Sequence, residues 1–541
     1  MPKKTGRDPA QFGLFATPLE AMIAPDAEVR VIAAFVDQLD LDELGFKSIQ
    51  SMGASAYGAD VLLKIYLYGY LNRVRSSRRL ARECALNIEL MWLTGNLQPK
   101  QKTIAAFRQY HPAQLKKVFR EYVLLLKEWD LIGGKRLAVD GTKIHGQNAR
   151  KKNFNADKLK RHLGRIDQRI EEAMEEFDQL DRYEESEEKQ ELRAGAQNAI
   201  KVFKARKANY ESLQKQLDAS EDTQISLTDP EARSLIKHGR ESLVGYNVQS
   251  VVDADHKLIV HTEATNENDL NALGQLVEDT SLYIGLDKGA EILADKGYHN
   301  AAELQRVRDL GHTTFVAERR HASRKSETNY PPTHFCYDEG QDAYICPAGQ
   351  LLKSTGKFYQ RKGTSHRFQT YRASRTDCRN CPLRKECLSA TSLARNAARS
   401  ISRLEHAAAV EANHDNLFAH PGVYQQRQAI VEHPFGTLKR YWTGYYTLLR
   451  CKRKVDGEFS LLACCYNLRR SVSILGVPEL LARLKARFSA FWVVFTLRSV
   501  VRGEVFGVFG SGHSGCCGWM GKRLFFDGGG GTYYSDSRWA K

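Results

Sequence analysis

Arg136-Leu-Ala-Val-Asp140-Gly-Thr-Lys143 is a short run of strand-forming residues that ends on a carboxylate followed by a turn-forming glycine. The same shape returns far along the chain in Glu291-Ile-Leu-Ala-Asp295-Lys-Gly-Tyr298. Both read as strands that deliver an aspartate at their ends. A third acid, Glu432, lies in the helical stretch Arg427-Gln-Ala-Ile-Val-Glu432-His-Pro-Phe-Gly-Thr-Leu-Lys439-Arg440. Taken singly, Asp-Gly after a strand is most often a turn, and a lone Glu on a helix is most often a solvated surface residue. Taken together, three carboxylates from distant segments are what two-metal phosphoryl transfer requires. Oxygen ligands hold hard cations such as Mg²⁺, and two such ions clamp the attacking and leaving oxygens of an in-line displacement. Lys439 is expected two helical turns beyond Glu432 on the same side, with Arg440 beside it and Tyr424 and Arg427 upstream. Those residue types suit a phosphodiester backbone.

Working outward, Val244–Asp253 and Lys257–Glu263 read as two strands joined by the turn Asp253-Ala-Asp255-His. Asp253 and Asp255 rival Asp295 as the second acid, though turn chemistry accounts for both. A helix from Asn268 to Tyr283, the Asp295 strand, a helix from Ala301 to Asp309 and a strand from His312 to Ala317 follow. This order predicts an α/β fold, a mixed sheet flanked by helices. Residues 151–220 interrupt it with a polar segment carrying Leu159, Leu163, Ile166 and Ile170 at helical spacing, which reads as an inserted helical hairpin.

A second insert, 320–420, holds Cys346-Pro-Ala-Gly and then Cys378-Arg-Asn-Cys381-Pro-Leu-Arg-Lys-Glu-Cys387. Cys346, Cys378, Cys381 and Cys387 have the ligand count of a structural zinc site, although the spacing is not a symmetrical pair of knuckles; four unliganded thiols are the simpler alternative. Residues 1–132 read as helical, with Arg75, Arg78, Arg79 and Arg82 on or just before one short helix opened by Ser76. Such a run is often only a solvated face, yet a basic helix ahead of a nuclease-like domain points to DNA contact. The formal charge of +16, from 80 basic and 64 acidic residues, fits a polyanionic partner. The start Met1-Pro-Lys-Lys has no apolar core, and no apolar run is long enough to span a bilayer, so a cytoplasmic, nucleoid-associated protein without a membrane partner is expected. Residues 487–541, dense in glycine, read as a poorly ordered tail.

The ordered set Leu62–Asn72 with Arg75–Arg79, Leu137–Gly141, Ser226–Arg233, Val244–Gln249, Leu293–Tyr298 and Val431–Arg440 resembles the DDE transposases of bacterial insertion sequences, in a long subgroup with an N-terminal helical domain and a cysteine-bearing insert. The resemblance implies a ribonuclease-H-like catalytic domain over 133–475 behind an all-α DNA-binding domain. It further implies two Mg²⁺ ions, with Mn²⁺ able to substitute, held by Asp140, Asp295 and Glu432. Lys439, Arg440, Tyr424 and Arg427 would serve the DNA strand. The expected partners are double-stranded DNA, as terminal inverted repeats and target, and a second copy in a synaptic homodimer. One departure stands out: relatives often place the arginine three residues inside the acidic one, whereas four residues separate Arg427 from Glu432. Two other readings of the same residues are an inactive DNA-binding relative and a nuclease without strand transfer.

Overall fold

The computed structural model describes residues 18–46, 56–181, 187–220, 222–237, 241–318, 330–360 and 367–487. The expected tail after 487 lies outside them. The chain divides into two compact units, Met1–Ala105 with Leu468–Lys541, and Ala106–Asn467.

In the first unit the described helices include α1 (Leu19–Met22), α2 (Glu28–Val36), α3 (Ala59–Leu71), α4 (Ser77–Leu86) and α5 (Ile88–Thr94), with α6 (Gln101–Tyr110) crossing its boundary. α3 is its centre, because Leu63, Ile65, Tyr66, Leu67 and Tyr70 are all fully buried. A helix apolar around most of its surface needs neighbours on every side. The Tyr66 hydroxyl meets its own hydrogen-bonding need by donating to the Ile104 carbonyl at 2.6 Å. Ser76 is the N-cap of α4, but its side chain makes no capping bond.

The second unit opens with α7 (Pro112–Glu128), which starts on a proline at its first position, where the missing N–H costs nothing. After it comes a mixed sheet of β1 (Arg136–His145), β4 (Arg233–Lys237), β5 (Glu241–Asp253), β6 (Ile259–Thr265), β7 (Glu291–Ala294) and β8 (Thr313–Val316). The strand order is β4-β5-β1-β7-β8, with β6 also on β5. β1 runs antiparallel to β5 and parallel to β7, and β7 runs parallel to β8. The short β2 (Asn153–Asn155) and β3 (Gln224–Ser226) pair at the base of two long helices, α8 (Ala156–Asp181) and α9 (Glu187–Asp218), which pack together along buried Leu159, Ile166, Leu213 and Leu217.

A turn of 3-10 helix, Asp269–Asn271, precedes α10 (Leu273–Ile284), so the helix expected from Asn268 begins later and in two pieces. α11 (Ala301–Asp309) joins β7 to β8. The second insert is a module of its own, an antiparallel sheet β13-β12-β11-β10-β9, made of β9 (Cys336–Asp338), β10 (Ala343–Ile345), β11 (Leu351–Gln360), β12 (Arg367–Ala373) and β13 (Ser400–Leu404). The short helices α12 (Arg375–Arg379), α13 (Arg384–Cys387) and α14 (Ala390–Ala394) sit between β12 and β13. The chain then returns through α15 (Ala407–Ala419), α16 (Pro421–Gly436) and α17 (Lys452–Leu475).

Two outer strands of the mixed sheet, β8 and β6, are each met by a buried asparagine. Buried Asn413 of α15 donates to the Val316 carbonyl at 2.9 Å and accepts from its N–H at 2.8 Å, on β8. Asn467 of α17 does the same to Ile259 of β6, at 2.8 and 2.9 Å. An amide side chain offers one donor and one acceptor, so it stands in for the missing strand and satisfies edge groups that burial would otherwise orphan.

Candidate active site

Asp140 lies part-way along β1, opposite Ser250 of β5 and one residue past the last β1–β7 pair, Val139 with Ala294. Asp295 follows β7 directly, so the two aspartates stand side by side where the parallel pairing ends. Each is fixed by backbone: Asp140 Oδ1 accepts from its neighbour Gly141 N at 2.9 Å, and Asp295 Oδ1 accepts from Gly297 N at 2.7 Å, capping the turn Lys296–Tyr298. Arg427 of α16 brings Nη1 to 3.5 Å from Asp140 Oδ2. Burial pushes the Asp140 carboxyl up to about 6. Arg427 opposes that shift, while the charges of Asp295 and, more weakly, Asp269 add to it.

Asp269 is the acid that sequence reasoning missed. An acid in the first turn of a helix is ordinarily a cap, so nothing marked it. Its Oδ1 accepts from Asn247 Nδ2 at 2.7 Å and Gln249 Nε2 at 2.8 Å, both on β5. Gln249 in turn accepts a bond from the fully buried Tyr298 hydroxyl. Burial and then the charges of Asp269, Asp140 and Asp295 drive that phenol well above its ordinary range. A Cβ added to Gly297 would lie 2.8 Å from Asp295 Oδ1 and 3.3 Å from Asp269 Oδ2, so the two carboxylates flank one point. Successive strand residues face opposite sides of a sheet. Asp269 packs against the Gly141 position, hence behind the face on which Asp140 meets α16.

Glu432 is exposed on α16, and its Oε1 accepts from Gln428 Nε2 at 2.6 Å. Five helical positions past Arg427 place it about 7.5 Å along the axis and roughly 140° around it. The neighbouring His433 is engaged through Nδ1 with the Tyr466 hydroxyl at 2.7 Å. Pro434 lies inside α16 rather than at its start, and just beyond it Thr437–Tyr441 widens into a π turn. Lys439 sits in that turn with Nζ over the Phe435 ring, and lines a small cavity with Thr142, Val248 and Ser250. Thr142 and Ser250 share the sheet face of Asp140 by alternation and pairing, so Lys439 serves the same face.

Tyr424 is half-buried on α16, whereas Arg440, Tyr441 and Tyr445 are exposed beyond it. Arg78, Arg79 and Arg82 are exposed on α4 of the first unit; Arg75, just before that helix, is only 4% exposed and is not offered to solvent. Asp253 is taken by its turn, and Asp255 is exposed in it. Asp253 accepts from Gly134 N and Asp255 N, and it pairs with Leu137 toward the opposite end of β1 from Asp140.

Among the described residues, one group of three His, Cys, Asp or Glu side chains has ligand atoms all within 4.8 Å of one another: His261, Glu263 and Asp279. It lies on β6 and α10, apart from the aspartates above, and Lys116 and Arg120 lend it positive charge. Asp140, Asp295 and Glu432 are spread more widely. The oxygen-only donor set, with Asp140 raised by burial and then by like-charged neighbours, suits a hard divalent cation better than it suits Arg427 alone. Among the described residues, no helix is long and apolar enough to cross a membrane.

Two family profiles match the chain. The Transposase domain (DUF772) matches residues 17–110, and the Transposase DDE domain matches 345–472, a range that includes the four cysteines and Glu432. No curated protein matches. Among solved structures, the piggyBac transposase in a synaptic complex with hairpin DNA is similar at 10% identity and a TM-score of 0.31, over 86% of this chain and 82% of that one. Both matching profiles are transposase profiles, and their order along the chain is consistent with a DDE transposase of the insertion-sequence type.

Proposed function

We propose that the chain cuts and joins DNA at the ends of its own element by metal-dependent in-line phosphoryl transfer. The observation that carries this reading is the placing of Asp140 and Asp295 side by side just past the last β1–β7 pair, with Arg427 3.5 Å from Asp140. The strand order around β1 supports a ribonuclease-H-like core.

Asp140, Asp295 and, from α16, Glu432 would hold two Mg²⁺ or Mn²⁺ ions. Such ions lower the pKa of a bound water or 3′-hydroxyl and offset charge on the leaving oxygen. Arg427 offsets the charge of Asp140. Lys439 supplies a cation for a phosphate on the face of Thr142 and Ser250. Exposed Arg440, Tyr441 and Tyr445 offer charge and stacking surface to the strand. Asp269 acts from behind, as part of the network with Asn247, Gln249 and Tyr298 that holds the turn after Asp295. Arg78, Arg79 and Arg82 are the proposed duplex contacts of the first unit. Two copies would join two element ends.

The test is incubation of labelled element ends with and without Mg²⁺, read for nicks and for joined products. Both products are expected. Nicks alone would make the protein a nuclease, and binding without either product would make it an inactive relative.

A further inference from the structure

The inserted module has a very small core of its own. Phe335, Tyr344, Leu352, Tyr371, Ala373 and Ile401 are its buried residues, and Cys346, Cys378 and Cys387 pack against them. A sheet of this size has too little apolar burial to hold itself, and modules of this kind are usually stapled by a disulfide or a metal. Cys346, Cys378, Cys381 and Cys387 all carry free thiols and line one cavity.

Two details go beyond proximity. Cys346-Pro-Ala-Gly349 forms a tight turn in which Gly349 N donates to the Cys346 carbonyl at 2.8 Å, with Gly349 at φ +75°. The next amide, Gln350 N, points at Cys346 Sγ at 3.2 Å. Across the cavity Arg399 N approaches Cys378 Sγ at 3.5 Å. Backbone N–H groups aimed at sulfur stabilise thiolate over thiol. Arg399 is anchored by its guanidinium on the Cys387 and Tyr330 carbonyls, and Arg384 also lines the cavity. Four thiolates around a divalent ion carry a net double negative charge, and two arginines stand ready to offset it.

We propose that these four cysteines bind one structural Zn²⁺ that staples the module. Zinc prefers four sulfur ligands at about 2.3 Å in a tetrahedron, which sets the sulfurs about 3.8 Å apart. No three of the four thiols are yet within 4.8 Å of one another. Binding therefore draws the Cys346 turn and the Cys378–Cys387 segment together, and the ion tightens the module as well as occupying it. No electron transfer is involved; each thiol releases its proton to solvent as it ligates.

The experiment uses the full chain, stripped with chelator and titrated with Co²⁺ and then Zn²⁺. Co²⁺ should produce intense thiolate-to-metal charge-transfer absorption, saturating at one equivalent and bleached by Zn²⁺. The carboxylates of the proposed active site cannot give that band, so the two metal readings fail separately. Cys381→Ser should abolish the band, and Cys336→Ser, an exposed cysteine of the same module outside the cavity, should leave it unchanged. Protease resistance of the insert should rise when Zn²⁺ is restored. No thiolate band in the unmutated protein, an unchanged band in Cys381→Ser, or a disulfide among the four would overturn the proposal.

Discussion

The carboxylate of Asp269 fills the volume that a side chain on Gly141 would occupy. A Cβ built on Gly141 would collide with Asp269 Oδ1 and lie 2.9 Å from both Asn247 Oδ1 and Gln249 Nε2. Gly141 is thus required for close approach, not for an unusual backbone angle, and the acid behind the sheet depends on the glycine beside Asp140.

Gly141→Ala should therefore cost about 1–3 kcal/mol in overpacking and displace Asp269. Denaturant unfolding and Mg²⁺-dependent cleavage should both fall. Unchanged stability would mean that Asp269 moves aside freely and positions nothing.

Asp269 and Glu432 are assigned different work, and their isosteric amides separate them. Asp269→Asn keeps a hydrogen-bond acceptor and should slow cleavage about 10–100-fold, as loss of a supporting partner does. Glu432→Gln should remove cleavage altogether with DNA affinity kept. If Asp269→Asn is dead and Glu432→Gln is active, Asp269 is the third ligand.

Asp295→Asn should abolish nicking and joining while gel-shift affinity for element ends stays within experimental scatter, since it removes a metal charge rather than a DNA contact. Parallel losses of binding and cleavage would count against that role.

That Asp140 and Asp295 each follow a run of buried strand residues could be read from sequence, a local signal; that β1 continues past Asp140 to His145, so that the acid does not end its strand as expected, could not. Long-range packing had no such signal. Arg75 reads like its exposed neighbours Arg78 and Arg79, and only the folded unit reveals that it is buried. The insert sheet escaped notice because β9 and β10 are three residues each, too short to show an alternation. Pro434 suggested a helix start or kink, yet α16 runs through it and widens afterwards. Seven residues from Glu432 to Lys439 therefore no longer equal two regular turns.

His261 supplies a pH test. It is 3% exposed, and burial, then the charges of Lys116 and Arg120, lower its pKa to about 3 from 6.5. Glu263, Asp279 and Asp456 face the same cluster. Between pH 6.5 and 3 the unfolded chain binds the proton that the folded chain refuses. Stability from this residue is thus complete above pH 6.5 and falls by up to about 1.4 kcal/mol per pH unit below it. His261→Gln should flatten that part of the urea-unfolding profile; parallel profiles would clear His261.

Asn413→Ala should orphan both backbone groups of Val316, at roughly 1–3 kcal/mol each. Hydrogen exchange at Val316 should accelerate relative to β1. Unaltered protection there would show that the edge has another partner.

The acidic centre has a consequence for the order in which it can be made. β1 and β5 are sheet neighbours, yet the whole α8–α9 hairpin is synthesised between them, and the five-stranded insert separates β8 from α16. A chain leaving the ribosome acquires Asp140 first, then Asp269 and Asp295, and receives Arg427 and Glu432 only after the insert has emerged. No nascent or prematurely ended chain short of α16 holds a complete set of charges. In the proposed function, cleavage therefore awaits the end of the domain's translation, after the helices of the first unit have emerged.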